Sequence, residues 1–357
     1  MIAGIVGPLP GRREFAGNSR IYLSIESILT HMDLEALVSD IRAYPGITRK
    51  RLISDVIGFF PKISQADVLA SYGDDAAVIE FGDFVLLLAA DGIMEPLMKA
   101  NPYYAGYFSV LVNINDISAM GGIPLAMVDV ISMKDEKICA QVMRGVESAV
   151  RKFGVPVVGG HTHPDCDYHA IDVAILGTAK KDEVIYSHTA CAGEDVIFAI
   201  DVEGFYPDGL PYAWDTTTNK SNEIVRKQML AMNEIGKRHL VSSGKDISNP
   251  GSLGSLGMLL ETSGKGAIVN LDNIPRPEGE DLNQWLKAYQ GCGFILTCKP
   301  GNSKRIIEMF ADVGVTGAIV GKIQNSHEFI ITSGKQEAVL FDFAKDTISG
   351  CRPTTLI

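Results

Sequence analysis

The stretch "NPYYAGYFSVLVNINDISAMGG", residues 101–122, reads as a helix. Asn101 is placed to cap it, Pro102 suits its first turn, and Gly121-Gly122 ends it. One acid, Asp116, stands inside its apolar run. Before it, "DFVLLLAAD" (83–91) is a continuous apolar run ending in an acid, and after it comes "LAMVDVISM" (125–133). Both read as buried strands. The alternation continues. In "KICAQVMRGVESAVRKF" (137–153), Ile138, Val142, Val146, Ala149 and Phe153 keep helical spacing. "VPVVGG" (155–160) and "HAIDVAILGTA" (169–179) read as strands. The pattern predicts an α/β protein with sheets and helices in alternation.

A polar stretch, "KKDEVIYSHTACAGED" (180–195), separates this series from a second one that begins with "VIFAID" (196–201). A boundary near residue 183 gives domains 32–183 and 184–357. Residues 1–31 read as an extension or as an upstream start, because Met32 opens a good amphipathic helix. In the second half, "GFYPDGLPYAWDTTTNKS" (204–221) has no sustained period and reads as a loop or lid. A helix is expected over 222–242. "CGFILTC", "KRIIEMFADVG" and "TGAIVGKI" then read as strand, helix, strand.

Composition narrows the function classes. The chain has 357 residues and is 46% hydrophobic, enough for sizeable cores. Its 32 basic and 43 acidic residues leave a net charge of −11. That balance argues against nucleic acid or an anionic membrane as a generic partner. No apolar run reaches ~18 residues, so no transmembrane helix is predicted. Six cysteines, at 139, 166, 191, 292, 298 and 351, form no C-x-x-C pair. This usage predicts reduced thiols and a cytoplasmic location.

Acids recur at the ends of apolar elements. Asp74 and Asp75 sit in "SYGDDAAVIE" (71–80), Asp91 ends a strand, Asp116 lies in the helix, and Asp246 opens a Ser/Gly run. A lone Asp pair before a strand is commonly a turn whose side chains bond the backbone. An acid buried in an apolar helix is different. It costs several kcal/mol unless a basic partner or a cation compensates it. Few Lys or Arg lie within these segments. A hard cation such as magnesium, which shares carboxylates with phosphate oxygens, fits better.

"GDDAAV", "AADG", "NINDISAMGGIP", "GGHT" and "DISNPGSLGSL", in that order, resemble the superfamily of aminoimidazole ribonucleotide (AIR) synthase. Its members include thiamine-monophosphate kinase and selenophosphate synthetase. The resemblance covers roughly residues 40 to 335 and is nearest to AIR synthase-related proteins, with the methanogenesis marker branch as the finer expectation. It implies a two-domain fold, with an N-terminal sheet domain that forms a barrel-like dimer interface and a C-terminal α/β sandwich. It implies a homodimer acting on a small-molecule substrate, and ATP with Mg²⁺ as cofactors. By motif, Asp74, Asp75, Asp91, Asp116 and Asp246 correspond to metal ligands, and Asp246 also to a catalytic position. Asn113, one turn before Asp116, is expected to face the same site. Lys50 corresponds to a phosphate-contacting cation, with a solvated basic turn as the alternative. Gly73, Gly121, Gly122, Gly159 and Gly160 are candidates for close backbone approach to phosphates.

Two segments depart from the family pattern. In "GGHTHPDCDYHA" (159–170), His161 replaces the acid that many relatives carry. His161 is a candidate general acid or base, with an ordinary pKa of about 6.5. His163 and Asp165 are candidate substrate contacts, and the loop's histidines, acids and Cys166 leave a transition-metal site as the alternative. In "DISNPGS", Asn249 and Pro250 replace an acid and a glycine. Asn249 then offers a neutral oxygen to metal or substrate. Asp208, Tyr212, Trp214 and Asp215 of the 204–221 loop are further substrate-contact candidates, with a packed surface loop as the alternative. No Walker motif occurs. Two function classes remain: an ATP- and magnesium-dependent kinase or synthetase that phosphorylates or activates an oxygen of a small metabolite, and a nucleotide-binding regulatory or maturation protein with little turnover.

Overall fold

The computed structural model describes residues 33–63 and 65–352. The expected extension 1–31 lies outside the described residues. From Leu34 onward the chain forms one compact unit. It opens with three helices, α1 (Leu34–Ala43), α2 (Pro45–Thr48) and α3 (Leu52–Ile57), with a 3-10 turn at Arg49–Arg51 before α3. Strands β1 (Val68–Ala70), β2 (Ala77–Phe81) and β3 (Phe84–Ile93) follow. Next come α4 (Glu95–Ala100), α5 (Pro102–Ala119), β4 (Ile123–Ser132), α6 (Glu136–Phe153), β5 (Val157–His163) and β6 (Ala170–Lys180).

These six strands form one sheet in the order β1-β2-β3-β6-β4-β5. Only β4 and β5 run parallel. On β3, Val85, Leu87 and Ala89 are buried, while Phe84 and Leu88 are exposed on the other face. The period of two sorts them. The buried face carries α5, and α6 packs on α5. That crossing is close: a Cβ on Gly106 would lie 1.9 Å from the Val142 carbonyl oxygen, and one on Gly145 would lie 1.9 Å from that of Tyr103. Asn101 caps α5 by accepting from the Tyr104 N–H, as its sequence predicts.

The second half holds β7 (Asp195–Ile200), β8 (Ala213–Trp214), α7 (Asn222–Lys237), β9 (Ser243–Asp246), α8 (Gly251–Ser263), β10 (Gly266–Asn270), α9 (Leu282–Lys287) and β11 (Tyr289–Gln290). It ends with β12 (Gly293–Cys298), α10 (Ser303–Ala311), β13 (Thr316–Gln324), β14 (Glu328–Ser333) and β15 (Gln336–Asp342). A seven-stranded sheet runs β15-β14-β10-β13-β7-β12-β9, and β8 pairs with β11 alone. The fold is therefore mixed α+β with two sheets, and most strand pairs are antiparallel. The helix expected over 222–242 ends early, at Lys237. His239 takes a left-handed φ of 49°, which stops the helix and turns the chain into β9.

Helix α5 explains its own composition. It contacts β3 and β6 on one side and α7 and β9 on the other. A helix covered all round is apolar all round. Asp116 sits in its last turn, where α5 meets β9.

Candidate metal and nucleotide site

Four acids converge at the junction between the sheets. Asp75 comes from the β1–β2 turn, where Gly73 supplies a φ of 104°. Asp91 comes from the end of β3, Asp116 from α5 and Asp246 from the end of β9. One carboxylate oxygen from each of Asp75, Asp116 and Asp246 lies within 4.8 Å of the others. Asp91 lines the same cavity and lies close enough for its charge to act on Asp116. All four line one cavity of about 280 Å³, with Lys50 and Lys245.

The two lysines set the electrostatics. Lys245 precedes Asp246 on β9 and forms an ion pair with Asp75. The Asp75 carboxylate also accepts from the Asp246 N–H at 3.2 Å. Burial opposes the Lys245 ammonium, but Asp75 and Asp246 more than offset it and raise its pKa. Lys50 stands near Asp91 and Asp246, and burial lowers its pKa. Burial and the Asp91 charge push Asp116 well above the carboxylate range. Burial and Asp75 push Asp246 up to about 8. Fully ionised, the four carboxylates outnumber the two ammonium groups by two charges, and without a cation burial raises the pKa of every one of these acids instead. An all-oxygen donor set with excess negative charge fits magnesium or another hard cation. The expectation that basic partners are scarce here is corrected: Lys245 stands immediately before the "DISNPGS" motif and reaches Asp75.

Asp74 behaves differently from its neighbour. Its carboxylate accepts from the Ser187 N–H and meets His188 Nδ1 at 2.7 Å. It borders the cavity, yet its side chain is fully buried against the second half of the chain. The adjacent acids therefore diverge, one tying the two halves together and one entering the cluster.

Other sequence candidates are distributed as follows. Lys50, Gly73 and Asn249 line the acid cavity. Asn113 does not, because its amide donates to the Ser109 carbonyl inside α5 at 2.8 Å. Asn115, two residues on, lines the cavity instead. Gly121 and Gly122 pack against Glu183, Ile185, Leu87 and Ile117. Gly159, Gly160, His161 and His163 lie on β5, the exposed edge strand, and Asp165 lies in the turn after it. None of these five lines the cavity. The rings of His161 and His163 meet edge to face at 4.5 Å. Trp214 and Asp215 are core residues. The Trp214 indole donates to the Asp201 carbonyl and meets Trp285 edge to face. Asp215 accepts from the Thr217 and Thr218 N–H groups. Asp208 is exposed, and its backbone carbonyl accepts from Asn101. Tyr212 alone of the loop candidates faces a cavity, beside Gly209, Leu210 and Pro211.

Several residues at the site carried no sequence signal. Tyr44 and Arg49 approach from one N-terminal segment and Tyr289 from the distant β11. Ser349 and Cys351 reach the acid cavity because the buried Glu261 carboxylate accepts the Ile348, Ser349 and Gly350 N–H groups.

Fold and site together define a two-sheet α+β protein with a carboxylate-lined cavity at the sheet junction. Two family models match in order: AIR synthase related protein, N-terminal domain, over residues 73–179, and AIR synthase related protein, C-terminal domain, over 198–333. The uncharacterized protein MJ0640 of Methanocaldococcus jannaschii is 48% identical over 90% of this chain and 100% of its own. The chain belongs to the AIR synthase-related family. The phosphoribosylformylglycinamidine cyclo-ligase of Methanococcus maripaludis is 26% identical over 79% of this chain and 88% of its own. The structure of T. maritima PurL complexed with ADP matches with a TM-score of 0.71 and 19% identity. That match covers 87% of this chain and 51% of the PurL chain, so this chain spans about half of PurL, and the likeness shows the two-domain fold.

Proposed function

We propose that the protein is an ATP- and magnesium-dependent enzyme that phosphorylates or activates an oxygen of a small metabolite. The observation that carries this reading is the convergence of Asp75, Asp116 and Asp246 within 4.8 Å. Asp91 joins them, and two lysines share the cavity. When bound there, magnesium neutralises phosphate oxygens that these acids would otherwise repel. Asp75, Asp116 and Asp246 hold the cation, Asp91 extends the donor set, and Lys50 offers a direct ammonium contact to phosphate. Lys245 keeps Asp75 in place. A neighbouring cavity, lined by Val68, Tyr72, Ile79 and Leu88, opens from the acid cavity past Asp75 and is suited to the nucleoside. The relation to a cyclo-ligase and to a protein solved with ADP supports nucleotide use.

A homodimer is part of the proposal. The outer face of the first sheet exposes Phe84, Leu88, Leu125, Val128, Val130 and Val158. An apolar surface on this scale marks an interaction face. His161 and His163 stand on the edge strand of the same sheet.

One observation favours a second reading. Asn249 stands at the acid cavity where the family pattern has an acid. Fewer carboxylates there favour a protein that binds nucleotide with little turnover. Calorimetric titration of ATP with magnesium and then with EDTA tests the shared core of both readings. Magnesium-dependent binding is expected, and equal binding in EDTA would overturn it. ADP release in a metabolite screen then separates the two.

A further inference from the structure

The acid cavity lies between two others. It shares Ile53, Gly73, Asp74, Asp75 and Ala90 with the cavity assigned above to the nucleoside. It shares Arg49, Met94, Leu97, Asn249 and Tyr289 with a cavity on its other side. The two flanking cavities have no lining residue in common. We propose that the cavity beside Arg49 is the acceptor subsite and that it takes a ring-bearing small molecule with one carboxylate or phosphate group. This inference rests on the reading that the acid cavity holds the nucleotide phosphates.

Size and lining define the ligand. The cavity measures about 720 Å³, within the usual range of small-molecule sites. Its walls are largely apolar, with Leu97 and Leu210 beside three tyrosines, Tyr44, Tyr212 and Tyr289. Tyr44 and Tyr212 meet edge to face at 5.4 Å. Ring edges and faces presented together favour a flat, ring-bearing guest over a branched aliphatic one.

Charge defines the rest. Lys287 is already neutralised, since Asp40 pairs with it and its ammonium lies 5.8 Å over the Tyr44 ring. Arg49 makes no ion pair among the described residues. Its guanidinium donates to Met94 Sδ at 2.8 Å, and a thioether is a weak acceptor. A planar guanidinium so placed matches a carboxylate or phosphate. Because Arg49 borders both cavities, it anchors a guest close to the acid cluster. Asn249, also shared, is the neutral amide at the same opening. The departure in "DISNPGS" therefore falls where acceptor and nucleotide meet.

The test uses the full chain and 8-anilinonaphthalene-1-sulfonate, a ring-bearing anion whose fluorescence rises in apolar cavities. Ala43→Trp puts a bulky ring into this cavity, since Ala43 lines it and does not line the acid cavity. The expected result is a saturable probe site in the wild type whose affinity falls at least tenfold in Ala43→Trp and several-fold in Arg49→Gln. Magnesium-dependent ATP affinity stays unchanged in Ala43→Trp, which also shows that the variant is folded. Tyr212→Ala is the second variant, with the same expected loss of probe binding. Equal probe affinity in the wild type, Ala43→Trp and Tyr212→Ala would overturn the subsite. If the wild type binds no ATP, the nucleotide reading fails whatever the probe does, so the two failures are separable.

Discussion

Lys245 and Asp75 lie 170 positions apart and form a buried ion pair across the junction of the two sheets. Their side chains are 5% and 3% exposed. Lys245→Met leaves the Asp75 carboxylate enclosed without its cation. Removing one partner of a buried pair costs about 3–5 kcal/mol. Urea denaturation should show that loss, and magnesium should restore part of it. An unchanged midpoint would mean that the pair does not support the junction.

Asp116→Asn should separate binding from stability. Burial, and then Asp91, Asp246 and Asp75, disfavour a charge at this position. Asparagine is neutral at every pH and escapes that penalty, so the thermal midpoint should hold or rise. Affinity for ATP in magnesium should fall at least tenfold. A folded variant with wild-type affinity would remove Asp116 from the metal site.

The α5–α6 crossing has no room for a methyl group. Gly106→Ala or Gly145→Ala drives a Cβ into a facing carbonyl oxygen. Overpacking of this kind costs about 1–3 kcal/mol, and more where the backbone cannot move. A denaturation midpoint equal to wild type would show that the helices separate easily.

Asp346 provides a pH test far from the cluster. Its hydrogen bonds from Arg42 lower its carboxyl pKa in the folded state. A depressed folded pKa gives stability that is present above the unfolded value of about 3.9 and is lost as pH falls through the folded value. The pair is partly exposed, so solvent screening limits it to about 0.5–1 kcal/mol. Asp346→Asn should lower the urea midpoint at pH 7, and the difference should shrink as pH falls below about 3.9. A pH-independent difference would point to packing instead.

Leu88→Lys puts a charge on the exposed face of the first sheet. Light scattering should report a dimer for the wild type and a monomer for the variant. Identical masses would exclude that face from the interface.

The sequence carried much of the fold because its local signals were clean: continuous apolar runs for strands, helical spacing in α6, and cap residues at both ends of α5. Strands β3, β4 and β6 and helices α5 and α6 fall where these signals put them. The acids were legible for the same reason, since Asp116 interrupts an apolar helix and Asp91 ends an apolar strand. What the sequence hid was direction. Asp74 and Asp75 look equivalent in one dimension, yet the β1–β2 turn points one at His188 and the other at Lys245. Asn113 and Asn115 are likewise indistinguishable until α5 is packed. The aromatic wall formed by Tyr44, Tyr212 and Tyr289 joins three distant segments, and no local pattern encodes it. Trp214 and Asp215 resemble lid residues by composition, but the loop folds inward over β11 and buries both.

The central claim is that the acid cluster holds a divalent cation which recruits ATP. Manganese can report on it directly, because free Mn²⁺ gives an electron paramagnetic resonance signal that collapses on binding. The wild type with ATP should deplete free Mn²⁺ well beyond what ATP alone binds, and the folded double variant Asp75→Asn/Asp116→Asn should not. Equal depletion by both proteins would contradict the account and put the metal elsewhere.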